Sequence, residues 1–394
     1  PAWPLKASAA GIPEEALNQV KAQNILTDHF HTATLDGYGL KNFSAGIMAA
    51  AAIVLFLQAT HQQHLEHILK IKIYRPEKYL TIDAASRRNL EITGNLREGG
   101  KQGSLFSILD LCHTSMGKRL LRRWLELPLR EVGAINERLD GVEELFRQIV
   151  LREQLAVVLK RIYDMERLSG KLGSGLANPR DLLALKSSCL ALKDLISILQ
   201  KCQNETLRHA SAMDNLDDLA GLIDLAIEDD APLAVKEGGL IKPGFDEEID
   251  ELKQLSNEGS AWLVDYENKE KERTGIKHLK VGFNKVFGYY LEISRSNLHL
   301  VPPDYIRKQT LVNTERFITE PLKQYEDKIL GARERLFALE YEVFAKVRNA
   351  LAGHLQRIQD SAGRVAAVDV LLSLAECAFR NDYVRPRVDE SGKI

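Results

Sequence analysis

A chain of 394 residues is long enough for two or three domains and a large buried core. Its 45% hydrophobic and 27% charged residues are those of an ordinary soluble globular protein. The formal net charge of −2 excludes nucleic-acid affinity by bulk charge, so any such affinity must come from local segregation of charge.

In chain order, residues 13–24 read as a helix with Pro13 at its first position. A strand-like run, HFHTATL, follows, and then a helix over about 44–66. Its Ala-rich stretch from Ala45 to Leu57 falls short of the roughly 18 apolar residues a membrane span needs, so a buried core helix is expected. No signal peptide precedes it. The helix–strand–helix order suggests the end of an α/β domain. The chain starts at Pro1 without a methionine and ends on SGKI, as an excised piece of a longer protein would. His61, His64 and His67 lie three apart, but only one pair would share a helix face and no carboxylate or Cys completes a tetrahedral set. Surface or packing histidines are the favoured reading.

From Asp83 to Leu127 the pattern is helical, with breaks at Gly99-Gly100 and Gly103. Further helices are expected at about 134–148, 149–172, 179–203 and 213–227. The one at 179 has a clear start, with Asn178 as N-cap, Pro179 at N1 and Asp181 in the first turn. Two Pro and three Gly in residues 230–244 then break the helical run. The four cysteines, Cys112, Cys189, Cys202 and Cys377, form no Cys-x-x-Cys pair and read as buried free thiols in a reducing cytosol.

Two long helices come next. The first covers about 245–272, with Phe245, Ile249, Leu252, Leu255, Trp262 and Tyr266 in one stripe. The second starts at Pro321, capped by Thr319, and extends to about Gln359, with Leu322, Tyr325, Ile329, Leu336, Leu339, Val343, Val347 and Leu351 as its stripe. Arms of about 40 and 55 Å follow from the helical rise, and they suit antiparallel packing on each other. Between them, residues 277–318 switch to strand chemistry. KHLKVGFNKVFGYYLEIS and YIRKQTLVNTERFIT, divided by a turn at Pro302–Asp304, predict about four short strands. Tyr289 and Tyr290 are adjacent in a strand, so one ring is expected in the core and the other at the surface.

Charge is segregated along this unit. Residues 246–270 hold nine acids against Lys253 and Lys269, whereas residues 271–317 hold nine bases against four acids. An acidic shaft therefore carries a basic tip. Cations interspersed with amides suit phosphate contacts, in which charge sets affinity and amides fix register. The alternative is a solvated charged face.

The runs IDAASRRNLEI (82–92) and LFSILDLCHTSMGKRLLRRWLELPL (105–129) resemble the start of the core domain of the bacterial MutS mismatch-repair family. The run LKVGFNKVFGYYLEISRSNLHLVPPDYIRKQTLVNTERFITEPLKQYEDKIL (279–330) looks like the clamp of that family with its flanking lever helix. The tail NDYVRPRVDESGKI resembles the run-in to the family's ATPase domain. The likeness covers nearly the whole chain, weakest in 1–40 and 150–240. It implies a mainly α fold, a long-helix core and lever domain with a small antiparallel β clamp inserted, preceded by the remnant of an α/β connector. The implied parts are the end of the connector at 1–74, core and first lever helix at 75–265, clamp at 266–321, and second lever helix with the return to the core at 322–394.

The resemblance further implies binding of mismatched double-stranded DNA by a homodimer that kinks it, uses ATP and Mg in the full-length protein, and recruits a MutL-type partner. It also implies a cytoplasmic, nucleoid-associated protein without a membrane partner. Lys280, Lys285, Arg295, Arg307, Lys308 and Arg316 would contact phosphate, with Ser294, Asn297 and Asn313 as hydrogen-bonding helpers and no base readout. The chain has no G-x-x-x-x-G-K-[ST] loop, so no cofactor site and no ATP hydrolysis are expected in it. The family's mismatch-reading Phe-x-Glu is matched only by Phe245-Asp246-Glu247, read as helix packing. Arg87, Arg88 and Glu91 read as a surface ion-pair cluster. Lys118, Arg119, Arg122 and Arg123 around Trp124 either face a DNA channel or pack between domains. The runner-up function is a structural and protein-interaction module whose basic tip is a docking face.

Overall fold

The computed structural model describes residues 18–391, apart from 33, 36–39, 41–42, 62–64, 66–67, 69–70, 72, 74–75, 98, 236–237, 285 and 287, and apart from the side chains of 61, 255–261 and 327–330. The chain gathers into two compact units, 1–223 with 348–394, and 224–347.

In the first unit, helix α1 (Gln19–His29) begins where the Asn18 side chain accepts the Val20 and Lys21 N–H groups at 3.0 and 3.2 Å. The expected start at Pro13 lies outside the described residues. Among its described residues the HFHTATL run forms no strand. His29 closes α1, and the next residues turn, with the His31 N–H bonded to the Asp28 carbonyl. Helix α2 (Ser44–His61) packs on α1 through Ile47, Ala51 and Val54. It was expected to be fully buried, but Ile53 and Phe56 are 60% and 51% exposed, since α1 covers one side only. No described helix is long and apolar enough to cross a membrane. The expectation for His61, His64 and His67 lies outside the described side chains.

The rest of this unit is a stack of short helices around a long one. They are α3 (Ala84–Asn89), α4 (Leu105–Leu109), α5 (Ser115–Glu126), α6 (Val132–Arg147), α7 (Ile149–Leu159), α8 (Met165–Gly173), α9 (Pro179–Leu199), α10 (Glu205–Ala210) and α11 (Asp217–Ala226). Asn178 and Asp181 close a reciprocal capping box on α9, as the sequence predicts. The helix expected over 149–172 is two helices, because Asp164 accepts the Arg167 N–H and starts α8 afresh. All four cysteines are free and buried. Burial pushes the Cys189 thiol up to about 12 and the Cys202 thiol up to about 11, which keeps them inert.

The second unit holds α12 (Glu247–Thr274), a four-stranded sheet, and most of α13 (Glu320–Ala352). Asp246 caps α12 by accepting the Ile249 N–H at 3.1 Å, and Glu247, Glu248 and Asp250 fill its positive first turn. At 28 and 33 residues the arms are about 42 and 50 Å long. They run antiparallel. Trp262 stacks on Tyr325 at 3.8 Å between ring centroids, and the Tyr266 and Thr319 hydroxyls meet at 2.6 Å. Farther along, Lys253 lies 3.3 Å from the buried Glu340. Thr319 therefore shares its hydroxyl with Tyr266.

The second arm was expected to reach Gln359, but it ends at Ala352. There the Gly353 N–H is shared between the Asn349 and Ala350 carbonyls, and the last turn tightens. Helix α14 (Leu355–Arg380) follows and forms the spine of the first unit. Its buried Asp369 accepts the His113 N–H, the Thr114 N–H and the Thr114 hydroxyl at 2.9, 2.8 and 2.7 Å. That carboxylate pins the start of α5. Burial pushes its pKa up, against three hydrogen bonds that favour the charge.

Candidate nucleic-acid interface

The sheet has strands β1 (Lys280–Asn284), β2 (Gly288–Ser294), β3 (Ile306–Thr310) and β4 (Thr314–Ile318), ordered β1-β2-β4-β3 and antiparallel throughout. Alternation assigns the faces. Leu291, Ile293 and Phe317 point inward and pack with Tyr266, Leu279 and Leu322. At the foot of the sheet, Glu267 of α12 accepts the Val281 N–H at 2.8 Å and Lys271 Nζ at 2.6 Å. Burial works against its charge, but these two donors hold Glu267 below the usual carboxylate range. Tyr305 is fixed in the same region, its hydroxyl donating to Glu270 at 2.6 Å. Burial, more than that bond, pushes the Tyr305 phenol far up.

The outer face carries a cross-strand row of Lys280, Glu292, Arg316 and Gln309, each opposite the next. Arg316 donates to Glu292 at 3.0 Å and to Gln309 at 2.9 Å, and its guanidinium lies 4.3 Å from the centre of the Tyr290 ring. Beneath that ring is Gly282, where a Cβ would come within 2.7 Å of the phenol, so only glycine lets the tyrosine lie flat. The two tyrosines do point to opposite faces. Tyr289 packs inward, while Tyr290, though on the outer face, is only 9% exposed because Arg316 roofs it.

Four of the expected site residues converge at the end of the sheet that holds the β3–β4 turn. The Arg295 N–H donates to the Asn313 carbonyl at 3.1 Å, and Asn297 Nδ2 donates to Ser294 Oγ at 3.1 Å. Ser296, which sequence reasoning passed over, shares its hydroxyl with Ser294; its place between Ser294 and Asn297 was the available signal. The Arg295 side chain is exposed and forms no ion pair among the described residues. Lys308 is likewise exposed and unpaired, on the bulge that β3 makes between Arg307 and Gln309. A bulge re-aims the side chain it carries, away from the ladder.

The other expected residues sit elsewhere. Lys280 is exposed at the start of β1. Arg307 is 61% exposed but lies 2.9 Å from Glu315, a carboxylate 5% exposed on the inner face. That contact is an ion pair without hydrogen-bond geometry, since the Glu315 oxygen accepts none. Strand alternation with Phe317 was the sequence signal for Glu315. Lys285 lies outside the described residues. No group of metal-ligating side chains occurs among the described residues. The surface therefore offers free cations, amides and hydroxyls, a set suited to phosphate oxygens.

The family model for MutS domain III matches residues 85–375. The chain is similar to the DNA mismatch repair protein MutS of Syntrophomonas wolfei, 55% identical over 97% of this chain and 44% of that protein. The MutS proteins of Alkaliphilus metalliredigens and Symbiobacterium thermophilum are each 46% identical, over 96% and 98% of this chain and 42% and 45% of theirs. The chain thus spans less than half the length of these curated relatives.

Proposed function

Since this chain belongs to the MutS family, through the family's domain III, we propose that it serves DNA mismatch repair by holding duplex DNA through the phosphate backbone, without reading bases. The observation that carries this reading is the pairing state of the cations. Arg295 and Lys308 have no carboxylate partner among the described residues, whereas Lys280 stands opposite Glu292 and helps hold the charge of Glu267, Arg316 is engaged by Glu292 and Gln309, and Arg307 by Glu315. Free surface cations release counterions from DNA, and paired ones must first give up an internal partner. Asn313, Asn297 and Ser294 supply donors beside Arg295.

In the proposed division, 266–321 is the clamp, 75–265 and 322–394 are core and levers, and 1–74 belongs to a connector. This chain does not hydrolyse ATP; in the full-length protein ATP and Mg act in another domain. The proposed partners are mismatched double-stranded DNA, a second subunit and a MutL-type protein, in the cytoplasm at the nucleoid.

The test compares two variants in fluorescence anisotropy with a labelled duplex at low salt. Arg295→Gln with Lys308→Gln weakens binding and makes the salt slope shallower by about two. Arg307→Gln weakens it less, because Glu315 already neutralises that charge. Parent-like binding and slope in the double variant would remove this end of the sheet from DNA and leave a protein-docking face.

A further inference from the structure

The basic run around Trp124 is not used by the β unit. In the first unit, α5 and α6 meet the chain at Tyr79, which bridges to Leu129, and enclose a cavity of about 300 Å3. Tyr79, Leu120, Trp124 and Leu127 wall it, Arg123 and Arg138 line it, and among the described residues no acidic side chain does. The Arg138 guanidinium lies 3.5 Å from the centre of the Trp124 ring. No carboxylate or backbone oxygen meets it among the described residues. Burial lowers its pKa to about 10, as follows for a cation without a counter-charge.

Two other sheltered arginines of this unit are paired. Arg119, one turn before Arg123, donates twice to Asp164 at 2.7 Å and also to Glu166. Arg152, 4% exposed, reaches Glu376 and two carbonyls. Arg119 also borders open volume and Arg152 also lies over a ring, that of Phe379, but both have carboxylates; Arg138 has the open volume and the aromatic face without one. Arg123 is exposed and forms no ion pair among the described residues.

We propose that this cavity binds a small organic oxyanion, its carboxylate or phosphate head held by Arg138 and Arg123 and its flat apolar body laid against Trp124 and Leu120. A guanidinium presents a planar fork of donors that matches either head. A half-buried cation is costly until an anion compensates it, so binding relieves a cost already present in the fold. The volume is at the lower end of small-molecule pockets, about 300–1,000 Å3, and admits one ring with its head group. The site lies in a different unit from the proposed DNA contacts, so neither reading depends on the other.

Calorimetry on the whole chain with phenyl phosphate, benzoate and inorganic phosphate tests it. Phenyl phosphate or benzoate binds saturably, and whichever is tighter identifies the head. Inorganic phosphate binds about tenfold more weakly, for want of the apolar body, and Arg138→Met and Arg123→Gln each cost about tenfold. Arg123 is exposed, so its variant reports even if the Arg138 variant misfolds. Absence of saturable binding by both organic anions overturns the proposal. So does equal binding by inorganic phosphate, or parent-like affinity in Arg123→Gln.

Discussion

Arg295 follows β2 directly and Arg316 lies in β4, yet the first has no ion pair among the described residues and the second is roofed onto Tyr290 with two polar partners. Composition announced both; only the register of β2 against β4 and β3 separates them, because that register places Glu292 and Gln309 beside Arg316. A candidate site is therefore legible in sequence as a set of charges, and not as a set of available charges. The same distinction governs acid stability. Arg357 of α14 donates to Asp214 at 2.6 Å and to both oxygens of Asp218 at 2.7 and 2.8 Å. These bonds hold both carboxyls below their ordinary value of 3.8. A depressed carboxylate gives stability that is present above its unfolded pKa and lost as pH falls through the folded one. The Arg357→Gln variant should thus be less stable at pH 7 but lose less between pH 4 and strongly acid conditions. Thermal melts across pH check this, and parallel curves for parent and variant would remove the linkage.

Helices announce themselves through caps more than through periodicity. Asn178 with Asp181 gave one start to the residue, and the same logic applied to Asp164 would have split 149–172. The end of the second arm was illegible for a different reason: apolar spacing continues past Gly353, into Leu355 and Ile358, so the stripe hides the break. The HFHTATL run misled because a capped helix already ran through its first residue, and local hydrogen bonding outweighed β propensity. Sheet and arms share one apolar cluster, through Tyr266 and Leu322. Excising 277–318 and closing with a Gly-containing turn should leave the arms paired through Trp262 and Tyr325. The melting temperature should drop, since each side chain re-exposed forgoes about 1.5–3 kcal/mol. Circular dichroism gives the answer: retained helix with a lower melt is expected, and global loss of helix would make the sheet part of the folding core.

At the scale of the whole chain, net charge is −2 and uninformative, while its distribution along the sequence is not. Of the nine acids in 246–270, Asp246 caps α12 and the other eight lie on it, while among the bases that follow Lys280, Arg307, Lys308 and Arg316 lie on the strands. On the proposed reading, one stretch of the second unit repels duplex DNA and the next attracts it. Binding that rests on a few phosphate contacts has a definite signature. If Arg295, Lys308 and Lys280 each neutralise one phosphate, the logarithm of affinity should fall against the logarithm of salt with a slope of roughly −3. The chain should not distinguish matched from mismatched duplexes, because phosphate contacts carry no sequence information and its one Phe-x-Glu, Phe245 to Glu247, opens a helix in which Asp246 is spent on capping Ile249. Titrating both duplexes over a salt series measures the two quantities together. A shared slope near the expected value supports backbone holding. A tighter, less salt-sensitive mode for the mismatched duplex would mean that some side chain reaches the bases, and the exposed Val312 at the β3–β4 turn would be the first to replace.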